Sequence, residues 1–351
     1  MAKILHLFRA EKFTNGYINF VNENFTKDDH EFWIYGNRTN VYTQVKLCAH
    51  KNAKHVKNIV DKLNDGEIQQ FDKIIYHGVF DQSIIDFLAK NRKLFDKLYL
   101  YFWGGDKFYV KDKWGNAKKK YVVRNAHGII NIIPEEHRYM MNYYHCKGNY
   151  FCAQYASDNI INNLQRHREG KANREVVSIL LGNSSAATNH HIPMLHKLAK
   201  FKNEKIMIYV PLSYGNGKEY ILKVIEEGKR IFGEKFVAVN KFMDEDEYYD
   251  FLNDMDIGIF DMNRQQALGN IMAMLTFGKK VYLRNHSVLS HYFSVENRCI
   301  VYKTEDIERL TFADFVYFED TNAEKNKEIM KQIYCKEPHI REWEMIFSEK
   351  I

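Results

Sequence analysis

The sequence predicts an α/β protein made of two Rossmann-like domains, and three observations support this. Short apolar runs alternate with amphipathic stretches of helical period, the pattern of βαβ units around a parallel sheet. The pattern occurs in both halves of the 351-residue chain, a length that favours two domains. A polar, charged segment at 162–176 separates the halves. We therefore expect one domain at 1–168, a second at 169–325, and a C-terminal helical segment at 326–351, broken at Pro338, that packs back on the first domain.

The first half contains five candidate strands and four candidate helices. Its strands are apolar throughout, as strands covered on both faces of a sheet are. The strands are "KILHLF", "EFWIYG", "KIIYHGVF", "KLYLYFWG" and "NYFCAQY", and the helices are "GYINFVNENF", "AKHVKNIVDKLN", "QSIIDFLAKNRKLF" and "EEHRYMMNYYH".

The second half shows the same alternation more regularly. Six short apolar runs are separated by stretches whose apolar residues recur at helical spacing. The strands are "VVSILLG", "KIMIYVPL", "KFVAVN", "DIGIFD", "KKVYLRN" and "CIVYK", and the helices are "HHIPMLHKLAKF", "KEYILKVIEEGKRIF", "DEDEYYDFLNDM" and "ALGNIMAMLTFG".

Composition narrows the classes of protein that remain. The five cysteines show no CxxC pair or other metal-ligand spacing, which is typical of a reduced cytoplasmic protein. A net charge of +6 suits anionic small molecules or an anionic membrane surface, and it is too mild for a nucleic-acid partner. No run approaches the roughly 20 apolar residues that span a bilayer, and the start "MAKILHLFRAEKF" lacks the features of a secretory signal.

The turn in "SILLGNSSAATNHHI" is the first candidate site. In an open parallel sheet, ligands bind beyond the carboxyl ends of strands, where a turn leads into the next helix. Gly182 allows a close backbone approach, while Asn183, Ser184, Ser185 and Thr188 supply small polar groups beside the amides of that helix. The segment predicts a diphosphate site, and an ordinary strand–helix turn with a Ser or Asn cap is the alternative.

A second candidate lies in "DIGIFDMNRQQALGNI". Arg264, Gln265 and Gln266 fall where a strand ends and a helix begins, and a guanidinium there offers paired donors to a diphosphate. Gly269 would let the helix approach a neighbour or a sugar ring. The alternative is a solvated arginine at the start of a surface helix.

A third loop, in "PLSYGNGKEY", follows another strand. Ser213, Tyr214 and Gly215 are candidates to hold the base or ribose of a nucleotide, with the tyrosine ring as a stacking surface. An ordinary glycine-rich loop is the alternative, although three such loops at corresponding strand ends favour a shared site.

Two strand ends in the first half carry candidate acceptor and catalytic residues. Trp103, Gly104 and Gly105 precede Asp106, which indicates a close ligand approach beside a carboxylate. Asp106, or His77 at the end of another strand, can accept a proton from an attacking hydroxyl. The alternatives are a hydrogen-bonded core histidine and an aspartate that caps a helix.

The segment 107–125 carries seven Lys or Arg against a single acid, with Trp114 among them. Such a segment can lie on anionic headgroups or guide a phosphorylated acceptor, and a solvated loop is the alternative. Elsewhere, Asp254 and Asp256 imitate a metal-binding DxD motif. They precede their strand, at the amino end, so we expect no catalytic metal there.

Taken together, the segments "YHGVF", "FWGGD", "ILLGNSSAATNHHI", "VPLSYGNGKEYI" and "FDMNRQQALGNI" resemble the bacterial TDP-N-acetylfucosamine:lipid II N-acetylfucosaminyltransferase family over nearly the whole chain. That family adds the third sugar of the lipid-linked repeat of enterobacterial common antigen. The G-N-S motif of the family matches Gly182, Asn183 and Ser184, and its R-Q-Q motif matches Arg264, Gln265 and Gln266. Its H-G motif matches His77, and its W-G-x-D motif matches Trp103, Gly104 and Asp106. Here Ala267 replaces the glycine that usually follows R-Q-Q.

The resemblance implies a GT-B fold, with two facing domains, an interdomain cleft and no required metal or cofactor. The first domain would hold the acceptor and the second a nucleotide-diphosphate sugar. The predicted activity is transfer of an N-acetylated deoxy sugar, with a TDP-sugar favoured, to a lipid-linked glycan at the inner face of the bacterial cytoplasmic membrane. The alternatives are a nucleotide-sugar epimerase or hydrolase of the same fold, and a non-catalytic protein that binds glycan or nucleotide.

Overall fold

The computed structural model describes residues 2–11, 13–36, 50–108, 113–155, 175–215, 217–241 and 243–350. The chain divides into two compact units. Unit 1 is Met1–Ile161 with Cys335–Ile351, and unit 2 is Asn162–Tyr334. Each unit is built around one sheet of parallel strands, which confirms the predicted α/β class. The predicted linker at 162–176 lies almost wholly outside the described residues.

Unit 1 contains a seven-stranded sheet in the order β3-β2-β1-β4-β5-β6-β7, and all its pairs are parallel. The strands are β1 (Ile4–Arg9), β2 (His30–Tyr35), β3 (Ala53–His55), β4 (Lys73–His77), β5 (Leu98–Tyr101), β6 (Gly128–Asn131) and β7 (Asn149–Cys152). The described helices are α1 (Thr14–Asn24), α2 (Ile59–Asn64), α3 (Gln82–Lys90), α4 (Lys113–Asn125) and α5 (His137–Tyr139), which runs into a π-helical turn (Met140–Tyr144).

Unit 2 contains a six-stranded parallel sheet in the order β10-β9-β8-β11-β12-β13. The strands are β8 (Val177–Leu181), β9 (Ile206–Pro211), β10 (Phe236–Val239), β11 (Ile257–Phe260), β12 (Lys280–Leu283) and β13 (Tyr302–Lys303). The helices are α6 (His191–Leu198), α7 (Lys218–Phe232), α8 (Glu245–Asn253), α9 (Leu268–Thr276), α10 (Val288–His291), α11 (Phe312–Val316), α12 (Asp320–Ile333) and α13 (Lys336–Ser348), of which the last belongs to unit 1.

The strand order places one switch point in each sheet. In unit 1 the chain leaves β1 toward β2 on one side and returns to β4 on the other, and in unit 2 the same happens between β8 and β11. Loops that leave neighbouring strands in opposite directions open a crevice at the carboxyl edge, where open α/β sheets bind ligands. The carboxyl edges of β8 and β11 are therefore the first place to look for a site in unit 2.

Three elements of unit 1 differ from the prediction. Ala53–His55, predicted as the start of a helix, forms strand β3 beside β2. Strand β6 (Gly128–Asn131) was not predicted, and the basic segment contains helix α4 (Lys113–Asn125) instead of an open loop. Helix α4 buries only Val122 and Val123 as large apolar residues, so its hydrophobic period is weak.

The C-terminal segment begins later than the predicted 326. Helix α12 stays with unit 2 because the buried Asn326 side chain bonds both the N–H and the carbonyl oxygen of Ile300, at 2.7 and 2.9 Å. The break in the helical segment lies between Ile333, where α12 ends, and Lys336, where α13 begins. Pro338 lies in the first turn of α13, where a helix needs no N–H donor. Helix α13 packs on unit 1, and its Trp343 Nε1–H donates to the Gln154 carbonyl oxygen at 2.9 Å.

Lysines at the first position of two strands cap helix ends. Lys73 Nζ donates to the carbonyl oxygens of Ile346 and Phe347 at the end of α13, at 2.7 and 2.9 Å. Lys280 Nζ donates to three carbonyl oxygens at the end of α11, at 2.7 to 2.9 Å, and burial lowers the pKa of Lys280 to about 8. A cation at a helix C-terminus satisfies carbonyls that have no helical partner.

Within the described part of the chain, no helix combines the length and the apolar character that crossing a bilayer requires.

Candidate functional site

The turns after β8 and β11 meet at the switch point of unit 2. Gln266 Nε2 donates to Asn183 Oδ1 at 3.0 Å, and Thr188 Oγ1 donates to Gln266 Oε1 at 2.8 Å. Arg264 Nη2 donates to the same Thr188 hydroxyl at 3.4 Å. The structure therefore brings the two segments that sequence predicted for a diphosphate into direct contact, although 76 residues separate Thr188 from Arg264.

Gly182 occupies a position that suits only glycine. Its φ is +72°, and its N–H donates to the Ile259 carbonyl oxygen at 3.0 Å. A Cβ added there would lie 2.5 Å from His191 Nε2 and 2.7 Å from Asn189 Oδ1. The turn is thus packed tightly against the start of α6 beneath it.

Asn189, which sequence reasoning missed, holds this turn in shape. Its buried side chain accepts the Asn183 N–H at 3.0 Å and donates to the carbonyl oxygens of Ser184 and Ala186, at 2.9 Å each. An asparagine two positions before a helix was the available signal. These bonds tie the Asn183–Ser184 backbone to the residues just before α6.

Ser185 links two loops at this edge of unit 2. Its N–H and its hydroxyl both donate to the Tyr214 carbonyl oxygen, at 2.7 and 3.0 Å, and the side chain is buried. These bonds hold the loop after β9 against the turn after β8. Gly215 (φ +118°) lies so close there that an added Cβ would be 2.6 Å from Ser185 Oγ. The hydroxyl proton of Ser185 is engaged in the loop, whereas the Tyr214 side chain is exposed and Ser213 is partly buried.

The other residues of the R-Q-Q segment differ in burial. Gln265 is buried, and its Oε1 has no hydrogen-bond partner among the described residues. Ala267, which stands where a glycine was expected, adopts a left-handed backbone with φ +60°, a strained conformation for a residue with a Cβ. A Cβ at Gly269 would meet no described atom within 4 Å, so that position is open instead of being packed against a neighbour.

A second guanidinium, also missed by the sequence analysis, lies at the same edge. Arg284 follows β12, and its Nη1 donates to Asp261 Oδ2 at 3.1 Å. The buried Asp261 carboxylate also accepts the Thr304 hydroxyl at 2.5 Å. His190 Nδ1 donates to the Asp261 carbonyl oxygen at 2.6 Å.

Unit 1 contains a chain of hydrogen-bonded histidines. His30 Nδ1 lies 3.0 Å from His6 Nε2, and His6 Nδ1 lies 3.0 Å from His77 Nε2. His77 Nδ1 in turn lies 2.6 Å from the Tyr155 hydroxyl, which accepts the Trp103 indole N–H at 2.7 Å. Burial lowers the pKa of all three histidines, well below 6.5 for His6 and His77 and to about 4 for His30, so the chain is neutral at pH 7.

The Asp106 carboxylate links the loop after β4 to the loop after β5. One carboxylate oxygen accepts the N–H of Val79, after β4, at 2.9 Å, and the other accepts the N–H of Gly104, after β5, at 2.9 Å. The Trp103 N–H reaches both oxygens, at 3.0 and 3.1 Å. The carboxylate is fully buried, so this geometry favours a structural role over direct proton transfer, although Asp106 links two loops and is not the helix cap considered as the alternative.

Trp103 is partly exposed and lies beside other rings at the carboxyl edge of unit 1. Phe13 meets it edge to face at a centroid distance of 4.7 Å. Gly78 has φ +74°, and its Cβ would lie 2.5 Å from the indole, so the glycine admits the ring. Gly104 has φ +117°, while Gly105 starts a short 3-10 turn. An indole held in this way offers a flat apolar surface to a ligand.

The basic segment divides into structural and exposed residues. Lys107 forms a buried ion pair with Glu136, and the buried Lys119 Nζ donates to the carbonyl oxygens of Val79 and Asp106. Other members, among them Lys113 and Arg124, are exposed on α4. Residues 109–112, which include Lys111 and Asp112, lie outside the described residues.

Asp256 lies at the amino edge of unit 2, away from the turns described above. Its carboxylate accepts the Ser178 N–H at 2.7 Å, and Asp254 caps the end of α8. The two aspartates that imitate a DxD motif therefore have structural roles, Asp256 at the start of β8 and Asp254 at the end of α8.

Comparison with known proteins agrees with this architecture. The model of the family "4-alpha-L-fucosyltransferase glycosyl transferase group 56" matches residues 1–318. Among solved structures, a glycosyltransferase from Rickettsia africae ESF-5 is 12% identical, with a TM-score of 0.67 and 98% of each chain covered. An alpha,alpha-trehalose 6-phosphate synthase from Burkholderia multivorans is 7% identical, with a TM-score of 0.69, covering 99% of this chain and 96% of its own. A sucrose-phosphate synthase from Thermosynechococcus elongatus is 12% identical, with a TM-score of 0.66 and 98% of each chain covered. These neighbours are GT-B glycosyltransferases, and they show the fold.

Proposed function

The chain belongs to the 4-alpha-L-fucosyltransferase family, glycosyl transferase group 56, and from that premise we propose that it transfers an N-acetylated deoxy sugar from a TDP-linked donor to a lipid-linked glycan. Family and fold make it a glycosyltransferase. The donor, the acceptor and a place in bacterial surface polysaccharide synthesis are the finer part of the proposal.

The observation that carries the proposal is the contact between the turns after β8 and β11. At this switch point, Gln266 of the turn after β11 bonds Asn183 and Thr188 of the turn after β8, and the guanidinium of Arg264 bonds the same Thr188 hydroxyl. We propose that these groups bind the donor diphosphate. Their fixed positive ends would stabilise the charge that develops on the departing nucleotide, a role that a metal ion fills in other enzymes. Transfer would then need no metal.

The test is a transfer assay with the purified chain. TDP-, UDP- and GDP-linked sugars are each supplied with a polyprenyl-diphosphate glycan acceptor, in the presence and absence of EDTA. We expect turnover with a TDP-sugar, unchanged by EDTA and dependent on the acceptor. Free sugar or an epimer formed without acceptor would identify a hydrolase or epimerase, and no turnover of any donor would contradict the proposal.

Arg264→Ala should weaken binding of the nucleotide diphosphate by about 2–4 kcal/mol, roughly 30- to 1,000-fold, because a charge-assisted pair with the ligand is lost. Isothermal titration with TDP measures the effect. Arg230→Ala is the matched control, since that guanidinium bonds Glu227 on the surface of α7. Equal affinity in the Arg264 variant and the wild type would remove Arg264 from the site.

For the acceptor side we propose two separate roles. Asp106 positions the loops after β4 and β5 through the bonds described above. The proton of the attacking hydroxyl passes to the Tyr155 oxygen while the phenolic proton moves to His77 Nδ1, and His77 passes its Nε2 proton on to His6. The distances of 2.6 and 3.0 Å on the two sides of His77 support this relay. His6 passes its own Nε2 proton to His30, so the net proton from the hydroxyl comes to rest on His30 as a transient imidazolium and must leave that ring before the next turnover.

Two variants separate these roles. Asp106→Asn should lower the free energy of unfolding of unit 1 by about 2–3 kcal/mol, because backbone N–H donors lose a charged acceptor in the interior. His77→Gln should instead lower kcat on the order of 100-fold while the TDP affinity of unit 2 is unchanged. Urea unfolding and steady-state kinetics measure the two effects, with the exposed Asp96→Asn as the control. An Asp106→Asn protein that is stable but inactive would restore Asp106 as the base.

We further propose that the chain is cytoplasmic and acts at the inner face of the cytoplasmic membrane, where a polyprenyl-linked acceptor is anchored. The exposed lysines of α4 support an attraction to anionic headgroups.

A further inference from the structure

The three hydrogen-bonded histidines of unit 1, which we call the histidine chain, run from one edge of the sheet to the other. His77 is the last residue of β4, at the carboxyl edge, and His30 is the first residue of β2, at the amino edge. His6 lies between them on β1, which pairs with both of the other strands in parallel. The histidine chain therefore joins the Tyr155 hydroxyl to the opposite edge of the same sheet.

Aromatic rings enclose the histidine chain. Phe8 stacks on the His77 ring at a centroid distance of 4.3 Å, and Phe347 of α13 meets the His30 ring edge to face at 4.6 Å. His6 and His77 are fully buried, whereas His30 is 4% exposed. Because water does not reach the two buried rings, protons can enter or leave the histidine chain only at its ends.

The hydrogen bonds of the histidine chain use five of its six ring nitrogens. His6 and His77 each bond through both nitrogens, and His30 bonds through Nδ1. Within the part of the protein that the structure describes, the sixth nitrogen, His30 Nε2, has no partner. This nitrogen therefore lies at the free end of the histidine chain, on the one ring of the three that solvent touches.

The geometry couples the tautomers of the three rings. Each nitrogen–nitrogen contact of 3.0 Å needs one proton, and each neutral ring carries one. Only two arrangements satisfy both contacts, with every ring protonated on Nε2 or every ring protonated on Nδ1. In the first, His77 Nδ1 accepts the Tyr155 hydroxyl proton. In the second, His77 Nδ1–H and the Trp103 indole N–H both donate to the Tyr155 oxygen, so the phenol cannot pass its proton to His77.

We propose that His30 is the proton-release group of the histidine chain, and that the proton given up at Tyr155 is matched by one that leaves unit 1 from His30 Nε2. One transfer moves one proton across each contact and converts all three rings from the Nε2 to the Nδ1 tautomer. The His30 Nε2–H bond breaks last, and water takes that proton. The inference deepens the proposed function and rests on it, since the acceptor hydroxyl is the source of the proton.

Release at His30 suits both the chemistry of the ring and its place in the sheet. Burial lowers the pKa of His30 to about 4, so an imidazolium there loses its proton readily at pH 7. After the product leaves, the reverse shift restores the Nε2 tautomers. Water then supplies a proton to His30 Nε2, and Tyr155 releases one to water in the empty acceptor site. Release at the far edge means that no water is needed beside the attacking hydroxyl.

Nitrogen-15 NMR of the histidine-labelled protein tests the histidine chain without any assay of transfer. At pH 7 we expect His6, His30 and His77 to share the Nε2 tautomer. The Nε2–H signals of His6 and His77 should be visible and protected, whereas the His30 Nε2–H signal should be lost through exchange with water. Any other combination of tautomers, or a His30 Nε2–H that is as protected as the other two, would overturn the proposal.

Chemical rescue tests proton release in the working enzyme. His30→Ala should lower kcat about 100-fold and leave the KM for the TDP-sugar unchanged, because the proton has no group to leave from. Added imidazole should restore kcat, and the more basic 4-methylimidazole should restore more of it, a dependence that a structural role would not produce. His30→Gln should be as slow and should not respond to imidazole, because its amide fills the site and cannot release a proton.

His50→Ala is the matched control. His50 also belongs to unit 1 and lies just before β3, where its Nε2 bonds Asn19 Oδ1 at 2.7 Å, outside the histidine chain. Its kcat should equal that of the wild type with and without imidazole. Tryptophan fluorescence checks that unit 1 of each variant is folded, and if His30→Ala does not fold, the NMR of the wild type decides alone.

The outcomes separate this proposal from the proposed function. A wild type that transfers sugar, with an undiminished kcat in His30→Ala or a rescue that ignores the basicity of the imidazole, overturns release at His30 while the transferase activity stands. A protein with the expected tautomers and exchange that turns over no nucleotide sugar supports the proton path and refutes the proposed function.

Discussion

Lowering the pH from 7 to 5 should destabilise unit 1 by about 5 kcal/mol, through His6, His30 and His77 together. Burial lowers the pKa of each ring, so the folded unit keeps them neutral while the unfolded chain binds a proton on each near pH 6.5. Their stabilisation is complete above pH 6.5 and is lost progressively as the pH falls from there toward their folded pKa values. The three histidines then share the loss at pH 5.

The measurement is urea unfolding followed by tryptophan fluorescence at several pH values. Trp33, Trp103, Trp114 and Trp343 all belong to unit 1, so the signal reports that unit. His30→Gln should flatten the pH dependence by about one third, as one of three equal contributors, whereas the exposed His145→Gln should leave it unchanged. A midpoint that stays constant between pH 7 and 5 would mean that the three rings are not buried as described.

The same linkage should appear more weakly in unit 2. Burial lowers the pKa of His191 to about 3, so this residue alone should cost about 2 kcal/mol between pH 7 and 5. Unit 2 contains no tryptophan, and far-UV circular dichroism would follow its transition instead. The unfolding transitions of the two units should therefore diverge in acid. Unit 1 should unfold first if the two units are equally stable at pH 7.

The histidine chain shows what the sequence could not reveal. His30 lies 24 positions from His6, and His77 lies 71 positions from it. No local pattern links residues at such distances. They meet because β1 lies between β2 and β4, and all three strands are parallel. The register places His6 beside Phe32 and Ile75, and His30 and His77 each lie two positions from those partners along the same strands. Sequence alone allowed either a core histidine or a catalytic one at position 77, and the fold makes His77 a buried member of a hydrogen-bonded chain.

The strands were predictable because both faces of each parallel sheet are covered. Continuous apolar runs such as "SILL" and "IGIF" are typical of strands buried in this way, and all six strands predicted in the second half are present. Helix α4 escaped prediction because it places Lys119 in the interior, bonded to carbonyl oxygens, where a helical pattern needs an apolar residue. Lys73 and Lys280 illustrate the same point, since sequence assigns a lysine to solvent.

The candidate donor site was partly predictable for a related reason. Glycine after a strand and Arg-Gln-Gln before a helix are local signals, and the sheet order brings them together. Asp261 and Arg284 gave weaker signals, because each is a single charged residue at a strand end. Their pairing depends on the neighbouring positions of β11 and β12. Local chemistry thus indicated the first contacts of the site, while the groups that support it required the fold.

Gly182→Ala should abolish nucleotide binding and lower the free energy of unfolding of unit 2 by about 3–4 kcal/mol. The left-handed backbone at φ +72° costs an alanine about 1–2 kcal/mol, and the new Cβ would lie 2.5 Å from His191 Nε2. Relief requires a shift of His191 or of Asn189, whose amide fixes Asn183 and Ser184. The expected loss of TDP affinity is at least about 100-fold, because the turn that carries Asn183 and Thr188 would lose its arrangement against Gln266 and Arg264.

Gly233→Ala separates backbone strain from steric contact. Gly233 also belongs to unit 2 and has φ +57°, but a Cβ there meets no described atom within 4 Å. It should lower stability through strain alone and leave TDP affinity unchanged, as measured by urea unfolding and titration side by side. If Gly182→Ala lost no more affinity than Gly233→Ala, the turn after β8 would be a structural turn, and the donor would have to bind through Arg284 and the loop after β12 instead. Comparison of the two glycine variants therefore decides whether the close packing beneath Gly182 is needed for nucleotide binding.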